Sequence, residues 1–186
     1  MTTIIFATKP ATENFVALAD TQTTFGSEII RGADGHSKII TPSRAEGLLF
    51  GCAGHVSVSS ALKSLQIQSK LKKNPTQDDA DSYVYNVVLP AMKAHLKSHL
   101  QSVDNRPSYT SMHILLWLMG TDFVYEISDD FAVVTHESGF YTVGSGSVYA
   151  RSSFKIRPEA EIEDHMRFAE ESDIYTSGPF HKVVFQ

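Results

Sequence analysis

Residues 2–8, TTIIFAT, and residues 14–20, NFVALAD, decide how this chain folds. Each is a short β-branched or continuously apolar run, too short for a helix, and the Pro10 to Asn14 turn between them makes the pair a hairpin. Strands apolar at every position are buried on both faces, so a sheet built on this hairpin needs cover above and below.

The pattern continues outward. EIIRG (28–32), SKIIT (37–41) and GLLFGCAG (47–54) read as further strands bounded by Gly, Ser or Pro. From His55 the period changes, with Val58, Leu62 and Leu65 at helical spacing. After a polar break at KKNPTQDD (72–79), Val84, Val88, Met92, Leu96 and Leu100 recur every fourth residue and predict a second helix. Pro90 is expected to kink it, because proline cannot donate to the Asn86 carbonyl. HILLWLM (113–119), FVYEI (123–127), FAVVT (131–135) and FYTVG (140–144) return to strand character, with turns at Gly120, Asp129/Asp130 and Ser138/Gly139. EIEDHMRFAEE (161–171) is the last helix and HKVVF (181–185) the last strand.

Two sheets with continuously apolar strands and two helical blocks to cover them give an α+β chain, arranged as a four-layer helix, sheet, sheet, helix sandwich. No repeat, low-complexity tract or composition shift divides the 186 residues, so 1–186 reads as one domain. The two helices carry more apolar positions than one face needs, which predicts that some pack against neighbouring copies.

Sixteen Lys plus Arg against 21 Asp plus Glu leave a net charge of −5, which argues against a general nucleic-acid binder. Lys63, Lys70, Lys72 and Lys73 form a basic stretch, and Glu159 to Asp173 an acidic one; both read as solvated helix faces. Cys52 is the only cysteine, so no intrachain disulfide forms and a reducing cytosol fits. The apolar run Ile114 to Met119 is far too short to span a membrane, and the N-terminus lacks a signal-peptide pattern. The expectation is a cytoplasmic protein with no nucleic-acid or membrane partner.

Thr2 poses the chemical question. A threonine hydroxyl is a poor nucleophile unless a base sits beside it, and a free α-amine on the same residue can be that base. Thr2 is small enough that removal of Met1 is expected, and that removal would free the amine.

The stretch TTIIFAT…ALADTQTTFGSEIIRG…SKII…LLFGCAG, followed by TVGSGSVYA and DIYTSGPFHKV, resembles the proteasome β-subunit family, most closely its bacterial HslV-type branch. The likeness runs in order over nearly the whole chain. It implies the N-terminal nucleophile hydrolase sandwich, rings of identical subunits, single or stacked, with active threonines facing an enclosed chamber, and an unfolding ATPase ring of the HslU type feeding them polypeptides. Residue by residue, it implies Thr2 as nucleophile, Asp20 as the motif acid, Lys38 as the lysine beside the nucleophile, Ser145 near the threonine amine and Gly54 as the backbone N–H of the oxyanion site.

The chemistry explains these residue types. A free α-amine has an ordinary pKa of roughly 7.7–8.0, so a useful fraction is neutral near pH 7. A lysine cation nearby disfavours its protonation and stabilises negative charge developing on the hydroxyl. Asp20 would hold Lys38 in place, and Gly54 lets backbone approach the scissile carbonyl where a pre-aimed N–H stabilises the oxyanion. No cofactor is required for this chemistry. The resemblance also implies a structural monovalent or divalent cation on the backbone carbonyls of Glu170, Asp173 and Thr176.

Other readings stay open here. GSGS (144–147) could be only a turn, and it lacks the Lys-Ser/Thr of a phosphate loop. Cys52 reads as a small buried residue. His95 and His99 lie four apart, a spacing that can hold zinc, but HLKSH lacks a metalloprotease glutamate and the pair reads as surface histidines. Relative to the HslV-type pattern there are extra residues around PATEN (10–14) and ADGHS (33–37). Three functions follow: a threonine peptidase of an ATP-dependent protease, a catalytically silent ring or scaffold subunit, or an amidohydrolase acting on small amides.

Overall fold

The computed structural model describes residues 2–9, 14–25, 28–30, 37–100, 111–135 and 139–185. Met1, most of the PATEN and ADGHS stretches and the Ser138 half of one turn lie outside the described residues. Strands β1 (Thr3–Lys9) and β2 (Asn14–Asp20) pair antiparallel from Ile4↔Ala19 to Lys9↔Asn14, the expected hairpin. They occupy the middle of a four-stranded sheet, flanked by β10 (Phe140–Gly144) and β11 (Phe180–Phe185). The second sheet has five strands in chain order: β5 (Ile39–Ile40), β6 (Leu48–Gly54), β7 (Met112–Leu118), β8 (Val124–Ile127) and β9 (Val133–Thr135). A short β3 (Thr23–Phe25) and β4 (Glu28–Ile30) pair with each other. The sequence patterns contain β4 but miss β3.

Alternation within the strands explains why they read as unbroken apolar runs. Ile4, Phe6, Phe15, Ala17 and Ala19 face a cluster shared with Leu49, Ala53, Leu115 and Trp117 of the other sheet. Ile5, Ala7, Val16 and Leu18 face the opposite way, onto Ala150, Ile162, Met166 and Ala169 of the C-terminal helices. Phe50, Cys52, Ile114 and Leu116 turn outward onto the first helices. The two sheets approach closely where Gly51 lies over β1; a Cβ there would sit 2.8 Å from the Ile4 side chain and 3.0 Å from Phe6.

Helix α1 (Val56–Leu62) is shorter than its apolar spacing predicts: Leu65 is buried but follows the helix end. Lys70, Lys72 and Lys73 accordingly lie in irregular chain, not on a helix face; Lys72 pairs with Asp79 at 2.6 Å and Lys70 with Glu46. A capping box starts α2 (Gln77–Tyr83), in which the Thr76 hydroxyl accepts the Asp79 N–H and the Asp79 carboxylate accepts the Thr76 N–H. The interruption expected at Pro90 is taken up just upstream, as a π-helical stretch over Val84–Val88 in which the Leu89 N–H reaches back to Val84. Helix α3 (Leu89–His99) then runs on.

Val58, Leu62, Val84, Val88, Met92, Leu96 and Leu100 are all consumed in the chain's own cluster, so of the spare apolar positions expected on these helices Tyr85, 52% exposed, is the one that stands out. Further exposed apolar side chains include Val148, Ile156 and Ile174. The first two belong to α4 (Ser147–Ile156), a helix that the sequence patterns did not reveal; α5 (Ile162–Ser172) follows it. Among the described residues, no helix is long and apolar enough to cross a membrane.

Candidate active site

The β1–β2 register carries Asp20 to the end of β2, beside the start of β1. There its buried carboxylate accepts the Thr3 N–H at 2.7 Å, the Gln22 N–H at 3.1 Å and the Thr2 hydroxyl. Lys38 arrives from the other sheet. It precedes β5, which pairs with β6 through Ile39↔Gly51, and its carbonyl accepts the Cys52 N–H at 2.8 Å. Its ammonium donates to both Asp20 oxygens at 3.0 Å, to the Gln22 carbonyl at 2.6 Å and to the Thr2 hydroxyl. The Thr2 oxygen thus lies between a carboxylate and an ammonium. Burial pushes the Asp20 carboxyl above its ordinary value, against the Lys38 charge and the hydrogen bonds from Thr2 and Thr3. Burial also pushes Lys38 below its ordinary value, against the attraction of Asp20.

Thr2, Gly54 and Ser145 line one groove of about 260 Å³, with Ala53, Met112 and Gly144. Two glycines shape it. Gly144 has φ of +99°, and a Cβ there would fall 1.9 Å from the Thr2 carbonyl oxygen; Gly54 has φ of +117°, and a Cβ would fall 2.0 Å from the Ser111 carbonyl oxygen. Only glycine allows both this backbone conformation and this approach.

Ser145 lies after β10, 3.5 Å from the Thr2 carbonyl, and its hydroxyl donates to the Asp173 carboxylate at 2.6 Å. The same carboxylate accepts the Thr176 hydroxyl at 2.7 Å, and Thr176 and Thr3 hydroxyls are 2.6 Å apart. A chain of polar groups therefore encircles the Thr2–Thr3 peptide. Sequence reasoning gave Asp173 only a carbonyl role; its buried carboxylate was the missed feature, and an acid amid the small polar residues Thr176 and Ser177 was the available signal. The carbonyl of Asp173 accepts the Thr176 N–H at 3.0 Å, which leaves it a second lone pair. Glu170 lies in the last turn of α5, and Thr176 follows Asp173 by three residues.

Cys52 is buried in the outer cluster, where burial pushes its thiol up and keeps it protonated. It is remote from thiolate chemistry. His95 and His99 lie on α3, away from the groove.

Neither a family model nor a curated relative matches the chain. Solved structures do. The BPH protein of Thiobacillus denitrificans in complex with Epoxomicin is 21% identical over 99% of this chain and 98% of its own, with a TM-score of 0.74. Eukaryotic HslV from Trypanosoma brucei is 15% identical over 98% of each chain, with a TM-score of 0.62. An Anbu (Gly-1) mutant from Hyphomicrobium sp. strain MC1 is 14% identical over 100% of this chain and 82% of its own, with a TM-score of 0.63. This chain has the proteasome-type N-terminal nucleophile hydrolase fold. Thr2 immediately precedes β1, the first strand of the central hairpin, and lines the groove beside it.

Proposed function

We propose that the chain is a threonine endopeptidase subunit of a ring-shaped, ATP-dependent protease, with Thr2 as nucleophile after removal of Met1. One observation carries this reading: the Thr2 hydroxyl is bonded to the Asp20 carboxylate and the Lys38 ammonium at once, on a groove shared with Gly54 and Ser145. In the proposed reaction the free α-amine takes the Thr2 hydroxyl proton as its oxygen attacks the peptide carbonyl. Lys38 stabilises the developing alkoxide, and the Gly54 N–H stabilises the tetrahedral oxyanion. The α-ammonium then returns the proton to the leaving amine, and water hydrolyses the ester left on Thr2 by the same steps. Asp20 keeps the Lys38 ammonium aimed at Thr2. Ser145, tied to Asp173, holds the Thr2 backbone.

The layered architecture belongs to the same reading. Three apolar clusters, between α1–α3 and the five-stranded sheet, between the two sheets, and between the four-stranded sheet and α4–α5, support a single helix, sheet, sheet, helix domain over 1–186. A cation on the carbonyls of Glu170, Asp173 and Thr176 would supply charge that holds the turn carrying Asp173, and no step passes through it. Assembly is proposed as a ring or stacked rings in the cytoplasm, fed with polypeptides by an HslU-type ATPase, because an unselective peptidase must be sequestered. Exposed Val148, Ile156 and Ile174 (61%, 75% and 80% exposed) supply apolar surface for contacts between copies.

Intact mass of the native protein, before and after a β-lactone or peptide vinyl sulfone, tests the reading. The expected result is loss of Met1 and one adduct on Thr2, absent in Thr2→Ala. Met1 retained in every chain, with no adduct, would overturn it in favour of a silent ring subunit. A stable monomer that cleaves small amides at full rate would favour the amidohydrolase.

A further inference from the structure

The groove beside Thr2 has a polar end, made by His113 and Asp129, that the proposed peptidase chemistry leaves unused. The order of the strands β6, β7 and β8 places these residues along it. Ala53 and Gly54, at the end of β6, stand next to Thr2: a Cβ on Gly144 would lie 1.9 Å from the Thr2 carbonyl oxygen and 3.3 Å from Ala53. His113 is the cross-strand partner of Ala53 on β7. It alternates with Leu115 and Trp117, which enter the cluster between the sheets, so its side chain faces the same gap. Asp129 follows the end of β8 by two residues, two strand spacings or about 10 Å across the sheet from β6. The neighbouring acid, Asp130, is committed to its own turn, where it accepts the Ser128 hydroxyl and the Ala132 N–H. Asp129 and His113 are both exposed, and among the described residues neither side chain has a hydrogen-bond or ion-pair partner. Among the described residues no lysine or arginine lines the groove, so the Asp129 charge is uncompensated there.

We propose, on the peptidase reading above, that this groove selects polypeptide substrates with a lysine or arginine within two residues of the scissile bond. A peptide carbonyl held at the Thr2 hydroxyl puts the flanking substrate residues at the β6 end of the groove. From there a long cationic side chain lays its apolar stem along Ala53 and the glycine backbone and carries its charged tip over β7 to Asp129. His113 adds an imidazole nitrogen that can accept a second N–H from the same tip. A glutamate at that substrate position would bring one carboxylate against another, and a methionine would fill the stem without meeting the charge. Specificity then comes from repulsion as well as attraction.

Quenched peptides of one neutral sequence, in which each position in turn is Lys, Met or Glu, test this on the native assembled protein, with mass spectrometry of the products locating the cut. At a position within two residues of the cut, kcat/KM for Lys should exceed that for Glu by at least about fivefold, with Met between them. The ratio should shrink as salt is added, because the pair is solvent-accessible. Asp129→Asn should bring the Lys to Glu ratio to within about twofold of one, and Asp129→Lys should invert it. Each ratio is measured on one preparation, so any loss of folded protein cancels. If Asp129→Lys does not fold, Asp129→Asn decides alone. Equal rates for Lys and Glu at every position would overturn the proposal and leave the peptidase reading standing. So would an Asp129→Asn protein that keeps the full preference. Absence of any peptide cleavage that Thr2→Ala abolishes would overturn both.

Discussion

Replacing Lys38 by methionine removes one partner of a buried pair and keeps most of the side-chain volume. The ammonium bonds both Asp20 oxygens at 3.0 Å, the Gln22 carbonyl at 2.6 Å and the Thr2 hydroxyl, and the Asp20 side chain is 0% exposed. Breaking such a pair costs about 3–5 kcal/mol, because the remaining charge stays buried. The Thr3 and Gln22 N–H groups and the Thr2 hydroxyl still solvate the carboxylate, so the lower end, about 3 kcal/mol, is expected at neutral pH. The cost depends on pH with a definite sign. Burial already holds the folded Asp20 pKa above its ordinary 3.8, and loss of Lys38 raises it further. A buried acid with a raised pKa destabilises the fold once it ionises, so the deficit of Lys38→Met grows as pH rises through the folded value. It fades as pH falls below 3.8, where Asp20 is protonated in folded and unfolded chains alike. Urea unfolding at one protein concentration, near pH 7 and near pH 5, reads this directly. Asp20→Asn in the Lys38→Met background should recover part of the loss, a coupling of about 2 kcal/mol. Peptide turnover should fall on the order of 10³-fold, or about 4 kcal/mol of transition-state stabilisation. An unchanged midpoint near pH 7, or an equal drop at both pH values, would refute the buried-pair account.

Gly144→Ala would drive a Cβ to within 1.9 Å of the Thr2 carbonyl oxygen at a backbone φ of +99°. It should lower stability by at least about 1–3 kcal/mol and abolish Thr2 labelling, as read by thermal unfolding and by adduct mass. Asp173→Asn keeps the shape but weakens the acceptor shared by Ser145 and Thr176, so unfolding should shift by about 1–2 kcal/mol and kcat should fall more than KM changes. The pH profile of kcat/KM for a fluorogenic peptide should be bell-shaped. Its acid limb follows neutralisation of the α-amine, and its alkaline limb falls below the ordinary lysine value of 10.5, because burial lowers the pKa of Lys38 and the neutral amine cannot stabilise the alkoxide. An alkaline limb that reaches 10.5 or beyond would count against Lys38 as the titrating cation.

Some features were legible in sequence because one local interaction determines them. TTIIFAT and NFVALAD are apolar at successive positions because alternate side chains enter two different cores, so their strand character and double burial show without any knowledge of partners. The residue types at Thr2, Asp20, Lys38, Gly54 and Ser145 likewise matched a motif in order along the chain. Helix α4 was hidden for the converse reason. Its buried residues are only Ala150 and Ser153, small side chains that pack close to a neighbour, while Val148 and Ile156 point outward, so no apolar stripe marks it. Leu65 kept helical spacing past the end of α1 because burial in a loop and burial on a helix leave the same apolar signature.

What tertiary structure alone decided is distance. Thr2, Asp20 and Lys38 are separated by 18 and 36 positions from the first of them, and nothing local brings their side chains together. The β1–β2 register brings in Asp20, and the bond from the Cys52 N–H to the Lys38 carbonyl brings Lys38 across from the second sheet. The Asp173 carboxylate reaches Ser145 over 28 positions only because the end of α5 returns to the start of β1. Composition and periodicity set which segments are strands and which faces are buried, since those follow from the neighbouring few residues. The meeting of a hydroxyl, an ammonium and two carboxylates around one peptide follows from sheet register and sheet-on-sheet packing, which depend on the whole chain at once.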